Sequence, residues 1–263
     1  MNKHIPQSSP GVGASFRLDG KIALITGASR GIGEAIARAL AGQGAHVIIS
    51  SRKVESCERV ADSIRRTGGQ ASVLACHIGD VDQLSAAFDK IRMSHGKLNV
   101  LVNNAAANPY FGPALDTPIE AFQKTVDINI RGYFFSIANA VRMMPRGGSV
   151  INIASISGVV PGPQQGLYSI TKAAVISMTK VFSAECGAAG IRVNALLPGI
   201  TDTRFAAALV HDSDMLSKYL PRIPLGRVAQ PNELAGAAIY LASDASSYTT
   251  GACLPVDGGY LTT

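Results

Sequence analysis

At 263 residues, 47% hydrophobic and 16% charged, the chain is long enough to bury a large core, and no apolar run approaches the roughly 18–20 residues of a membrane span. The N-terminal "MNKHIPQSSPGVGASF" lacks the apolar centre of a secretory signal. The net charge of +6 comes without a Lys/Arg-rich run or an aromatic ladder, which argues against nucleic acid and suits an anionic small molecule. Residues 1–16 are rich in Pro, Ser and Gly and read as a mobile tail, so the fold is expected to begin near Arg17. "KIALITG" (21–27) has the apolar run of a buried parallel strand. In "GIGEAIARALAGQGA", Ile32, Ile36, Ala39 and Leu40 fall at helical spacing, and Gly42 and Gly44 end the helix. Further strands are expected at 46–51, 71–76, 98–105, 147–155, 191–198 and 250–256. Helices are expected at 53–67, 81–94, 118–143 and 166–188, and the gap after the sixth strand reads as a helical lid near 201–224.

Strands that alternate with helices predict a single α/β domain over residues 17–263. It is a doubly wound Rossmann-type fold, with a seven-stranded parallel sheet and helices on both faces. Ligands in such folds bind beyond the C-terminal strand ends, where strand order reverses. The segments Gly27–Gly33, Ser51–Lys53, Asn103–Ala107, Ser155 and Pro198–Thr203 each follow a predicted strand. Cys57, Cys76, Cys186 and Cys253 form no CxxC pair and read as reduced thiols of a cytoplasmic protein. The scattered histidines include no HExxH, so no metal site is expected.

Two motifs carry chemistry. In "TGASRGIG" (26–33), Gly27, Gly31 and Gly33 allow a tight turn, close approach of backbone to a pyrophosphate, and close packing of helix on strand. The helix start then offers free N–H groups to phosphate. In "YSITK" (168–172), Tyr168 and Lys172 lie one helical turn apart on one face, as a chemical pair or an ordinary surface pair.

Taken together, TGxxxGxG, "NNAAA" (103–107), "VDINIRG" (126–132), Ser155 thirteen residues before Tyr168, "YSITK" and Pro198-Gly199 resemble the classical short-chain dehydrogenase/reductase family, from about Leu18 to Tyr260. The resemblance implies that Asn129, Ser155, Tyr168 and Lys172 are catalytic. It also implies a nicotinamide dinucleotide held by Gly27, Ser29, Arg30, Gly31, Ile32, Gly33, Ser51, Arg52, Lys53, Ile78, Asn104, Ala105, Tyr168, Lys172, Pro198, Gly199, Ile200 and Thr203. A homotetramer is implied as well, with the 166–188 helix against its copy. Two positions depart from the family pattern: Ala106 stands for the usual Gly, and His77-Ile78 for Asp-Val, so the usual Asp contact with adenine is missing; Asp80 is not read as its substitute.

The implied chemistry has its own physical logic. A free phenol titrates near 10, and a lysine ammonium about 4–5 Å away together with an oxidised nicotinamide favours the phenolate. Tyr168 then exchanges a proton with the substrate oxygen, Ser155 holds that oxygen, Lys172 holds the nicotinamide ribose, and Asn129 fixes a water that feeds Lys172.

A carboxylate after the second strand would select NAD. "ISSRK" has none, and Arg52, with Arg30, suits a 2′-phosphate, so NADP (NADPH) is expected ahead of NAD, unless both arginines are merely solvated. Substrate walls are expected from Asn108, Pro109, Tyr110 and Phe111 and from Pro161–Gln165. "AHVIISSRK", "CHIG" and "NAAANPYFG" look similar to a carbonyl-reductase-like branch, which implies a ketone or aldehyde, hydrophobic or 3-oxoacyl, as substrate. The alternatives are a reductase of 3-oxoacyl thioesters on acyl carrier protein and a NAD-dependent alcohol or sugar dehydrogenase. The four-residue Tyr–Lys spacing argues against an enoyl reductase, and the presence of both residues argues against a non-catalytic sensor.

Overall fold

The strands form where the apolar runs are most continuous. A computed structural model describes residues 13–263. It places β1 at Ile22–Thr26, β2 at His46–Ser51, β3 at Gln70–Ala75 and β4 at Val100–Asn103. β5 is Ser149–Ile153, β6 Arg192–Pro198 and β7 Cys253–Val256. All neighbouring pairs are parallel, in the order β3-β2-β1-β4-β5-β6-β7. Every residue of β4, β5 and β6 is buried, as expected of strands covered on both faces. β7 holds Pro255 in its interior, which only an edge strand tolerates.

The helices are α1 (Gly31–Gly42), α2 (Val54–Arg66), α3 (Val81–His95), α4 (Ile119–Val126), α5 (Tyr133–Val141), α6 (Gly166–Cys186), α7 (Ala207–Val210), α8 (Ser213–Tyr219) and α9 (Ala235–Ala242). Alternating strand residues divide the core. Ile25, Ile49, Val102 and Ile151 face Ile36 and Leu40 of α1, Val60 and Ile64 of α2, and Leu241 of α9. Leu24, Ile48, Leu101 and Val150 face Phe88 of α3, Ile137 of α5, and Val175 and Phe182 of α6. The strand order reverses between β1 and β4, and the candidate site opens there.

Of the tail expected over residues 1–16, residues 1–12 lie outside the described residues, and Ala14–Phe16 form a 3-10 turn. Three other expectations need correction. The fourth strand is shorter than 98–105, because Asn104 leaves the sheet to bond the β1 end. The helix expected at 118–143 is interrupted by a π-helical turn at Asp127–Gly132. A helix was not foreseen at α9, whose "AGAAIYLA" is apolar all round and shows no polar face to betray its period.

Candidate active site

The glycine turn is built by close approach. Thr26 Oγ1 accepts from Asn104 N at 2.9 Å and Ala105 N at 3.2 Å, clamping β4's exit to β1. Asn104 Nδ2 returns bonds to Thr26 O at 2.9 Å and Gly27 O at 3.1 Å. Gly27 has φ +65°, and a Cβ there would stand 2.7 Å from Ala105 Cα. A Cβ on Gly33 would stand 2.7 Å from Gly27 O, so Gly33 serves the packing of α1 on the turn and does not line the cavity.

A cavity of about 980 Å³ runs along the C-terminal ends of the strands. It brings together Gly27, Ser29, Arg30, Gly31, Ile32, Ser51, Arg52, Lys53, Ile78, Asn104, Ala105, Ser155, Tyr168, Lys172, Pro198, Gly199, Ile200 and Thr203. Of the residues singled out in the sequence for catalysis or cofactor binding, only Gly33 and Asn129 stay out of the lining. At one end, Arg30, Arg52 and Lys53 have no acidic partner among the described residues. Lys124 and His77 face the same end, and Asp202 is the one carboxylate among the described lining residues. His77 Nδ1 is buried without a partner. Asp80 caps α3, accepting from Asp82 N and Gln83 N, and does not line the cavity.

At the other end stand Ser155, Tyr168 and Lys172. Ser155 Oγ accepts from Ser157 N at 3.0 Å. Lys172 is 1% exposed, and its Nζ donates to Ile153 O at 2.7 Å. The same carbonyl accepts from Tyr133 Oη at 3.2 Å. Lys172 Nζ thus sits between two rings, 5.2 Å from the Tyr133 centroid and 5.6 Å from that of Tyr168. Burial pushes the Lys172 ammonium down to about 7. Burial pushes the Tyr168 phenol well above its ordinary value, against the opposing influence of Ser155. Desolvation is thus the largest influence on the phenol from the protein's own groups; the expected pull toward the phenolate also invoked an oxidised nicotinamide beside Lys172.

Asn129 lies behind this end. Its Oδ1 accepts from Ala107 N at 2.8 Å, and its Nδ2 donates to Ala107 O and Thr171 Oγ1, both at 3.0 Å. Both amide donors are spent in tying the π turn to the β4 loop and to α6. Tyr133 was missed in the sequence, where it looks like any core aromatic at helical spacing. Of the expected substrate walls, Asn108, Pro109, Phe111, Gly162 and Gln165 line the cavity; Tyr110 turns back to bond Pro113 O. Phe205 was also missed: its ring stands 5.7 Å from that of Tyr168.

The sequence family described as Enoyl-(Acyl carrier protein) reductase matches residues 27–261. The chain is 34% identical to dehydrogenase/reductase SDR family member 4 of Bos taurus over 264 residues, covering 98% of this chain and 94% of that protein. It is 39% identical to L-rhamnose 1-dehydrogenase (NAD(P)(+)) of Azotobacter vinelandii over 246 residues, covering 91% and 96%. Among solved structures, a gluconate 5-dehydrogenase from Burkholderia cenocepacia in complex with NADP and tartrate superposes with a TM-score of 0.91 at 36% identity, covering 95% of this chain and 98% of that one.

Proposed function

The chain belongs to the classical short-chain dehydrogenase/reductase family and is an oxidoreductase of the alcohol–carbonyl type, and from that premise we propose that it interconverts a ketone or aldehyde with its alcohol using NADP(H), with Tyr168 as the acid/base. The observation that carries this reading is one cavity with Ser155, Tyr168 and Lys172 at one end and, at the other, Arg30, Arg52 and Lys53 without acidic partners among the described residues.

The residues fit such a dinucleotide. Side chains at Gly27 or Gly33 would collide with the turn that shapes the cradle, and α1 begins at Gly31, where free N–H groups favour phosphate. Arg52, Lys53 and Arg30 supply charge for a 2′-phosphate where an acid would repel it. Bound NADPH supplies hydride. Tyr168 gives its proton to the carbonyl oxygen, and a protonated, desolvated phenol is the right starting state for that transfer. Ser155 holds the same oxygen through its hydroxyl. Lys172, steadied by Ile153 O and with Nζ 5.6 Å from the centre of the Tyr168 ring, would resupply Tyr168 with its proton and hold the ribose hydroxyls. Asn129 acts as a positioning residue, fixing Ala107 and Thr171 around the site.

The segment 201–224 closes over the substrate end as a lid, supported by the short helices α7 and α8. The protein works as a homotetramer in the cytoplasm, in keeping with four free thiols and an apolar surface on α4, α5 and α6. A NAD-dependent sugar dehydrogenase is the second reading; the names of the rhamnose and gluconate relatives favour its sugar substrate, while the rhamnose enzyme is named for NAD(P)(+) and the gluconate enzyme was solved with NADP.

Steady-state kinetics with NADPH and NADH separate the two. A charge-assisted bond to the 2′-phosphate is worth roughly 1.5–3 kcal/mol, so the wild type is expected to prefer NADPH by about ten- to a hundredfold in kcat/KM. Arg52→Ala lowers the NADPH value and leaves NADH nearly unchanged. Equal losses with both coenzymes, or a wild type that prefers NADH, overturn the assignment.

A further inference from the structure

The segment after β6 has a small core of its own. Leu209, Tyr219 and Ile223 pack with Ile156, from the loop after β5, and with Tyr260, from the turn that follows β7. This cluster is separate from the two that flank the sheet. So few buried side chains hold a segment of this length only weakly against its chain entropy. What else fastens the segment therefore decides where it sits.

The fastening comes from residues 257–263. Asp257 shapes them, its carboxylate accepting from Gly259 N at 2.9 Å and from Leu261 N at 3.0 Å. Gly258 and Gly259, at φ +65° and +89°, lie flush against the base of the segment: a Cβ on Gly258 would stand 2.8 Å from Ile223 Cγ2, and one on Gly259 2.8 Å from Pro224 Cγ. Leu225 N donates to Gly258 O, and Thr263 Oγ1 donates to Arg222 O, both at 3.1 Å. The Arg222 guanidinium lies over the Tyr260 ring, 4.5 Å from its centroid, and has no acidic partner among the described residues. Tyr260 is 4% exposed and lines the cavity.

One group works against this closure. Tyr219 is 7% exposed and also lines the cavity, yet its hydroxyl is buried with no hydrogen-bond partner. Tyr260 and Arg222 both lie within electrostatic reach of it. A buried hydroxyl without a partner disfavours the arrangement that buries it, and opening the segment returns it to water.

Resting on the reading of 201–224 as the lid of a carbonyl–alcohol oxidoreductase, we propose that residues 257–263 are the latch of that lid. Arg222 and Tyr260 are positioning residues that hold it over the substrate end, and the unpaired hydroxyl of Tyr219 keeps it releasable. Closure by a cation on a ring face and release by a stranded hydroxyl are of similar size, so the lid is balanced for substrate entry and product exit.

The test follows amide hydrogen exchange of the full chain by mass spectrometry, comparing peptides from 203–225 with peptides from β4, β5 and β6. Arg222→Gln and Tyr260→Leu are expected to speed exchange in 203–225 by about three- to tenfold and to leave the strand peptides at the parent rate. Tyr260→Phe keeps the ring face and should match the parent in 203–225. Tyr219→Phe should slow exchange there by about tenfold. A merely structural role would speed lid and strands together. Lid exchange unmoved in Arg222→Gln and Tyr260→Leu, an equal rise in the strands, or faster lid exchange in Tyr219→Phe overturns the inference. Turnover of diacetyl, propiophenone and a ketogluconate with NADPH supplies the second arm. Arg222→Gln should raise KM for the best of these carbonyls about three- to tenfold, with NADPH affinity by fluorescence titration close to the parent's. An unchanged KM overturns the role at the substrate end. Failure of the wild type with all three carbonyls overturns the carbonyl reading, while the exchange rates still decide whether 257–263 latches the segment.

Discussion

The ammonium of Lys172 lies in a space that an uncharged amine would fill more cheaply. It has one carbonyl and two ring faces for company, and burial holds it down at about 7. In the unfolded chain a lysine titrates near 10.4. Between those values the unfolded chain binds the extra proton, so this group makes stability rise with pH. The penalty is fully present below about pH 7 and gone above the unfolded value. Lys172→Met is therefore expected to unfold at a higher temperature than the parent at pH 6, with the gap closing as pH approaches 10; a gap that is constant with pH contradicts the buried charge. At Tyr168 the expectation is catalytic: Tyr168→Phe keeps the fold and NADPH binding but loses about 10²–10⁴ in turnover, read by steady-state rates against fluorescence titration of the coenzyme. Tyr133 adds a finer expectation. Its hydroxyl shares Ile153 O with Lys172, so Tyr133→Phe should shift the pH profile of turnover while leaving NADPH affinity close to the parent's.

Among the elements, the π turn at Asp127–Gly132 does most to shape the site. It lets Asn129 reach both the β4 loop and α6, and it brings Gly132 against the β3 exit. A Cβ on Gly132 would stand 2.8 Å from Ile78 O and 3.1 Å from Ile78 C, both backbone atoms that cannot swing aside. Gly132→Ala is expected to destabilise by about 1–3 kcal/mol in urea and to weaken coenzyme binding, because Ile78 lines the cavity. Gly42→Ala, with nothing near its Cβ, is the control, and should be neutral or stabilising by up to about 1 kcal/mol. Equal effects at the two glycines would contradict the crowding at Ile78.

At the scale of the whole molecule, an apolar surface remains over α4, α5 and α6. Ile170 is 63% exposed, Val181 50%, Phe122 49% and Phe134 43%. Ile170, Ala173, Ser177, Val181 and Ala184 recur along α6 at helical spacing, and the small ones admit a close neighbour. A symmetric assembly through this surface is expected, most simply a homotetramer. Light scattering at micromolar concentration should report it, and Ile170→Glu combined with Val181→Glu should reduce the mass. A wild-type monomer would remove the claim.

The order of elements, their parallel pairing and the ends of the site were legible in the chain, because buried strands are apolar runs and turn glycines are required by sterics. Gly27 to Gly33 announce themselves by the strand before and the helix after, whereas spacing alone leaves Tyr168 and Lys172 open between a chemical and a surface pair, and the roles expected of them and of Ser155 came from the resemblance. What needed the tertiary structure depends on atoms far apart in sequence. Only the fold shows that Asn129's amide is spent on Ala107 and Thr171, that Tyr133 slides beneath Lys172, and that Phe205 stands over Tyr168. The burial of Tyr168 belongs with these, since desolvation depends on everything that surrounds the phenol, whereas spacing reveals only its nearest charge. Helix α9 escaped for the same reason: a segment apolar on every face carries no periodic signal, and its place is decided by the sheet and α1 against which it packs.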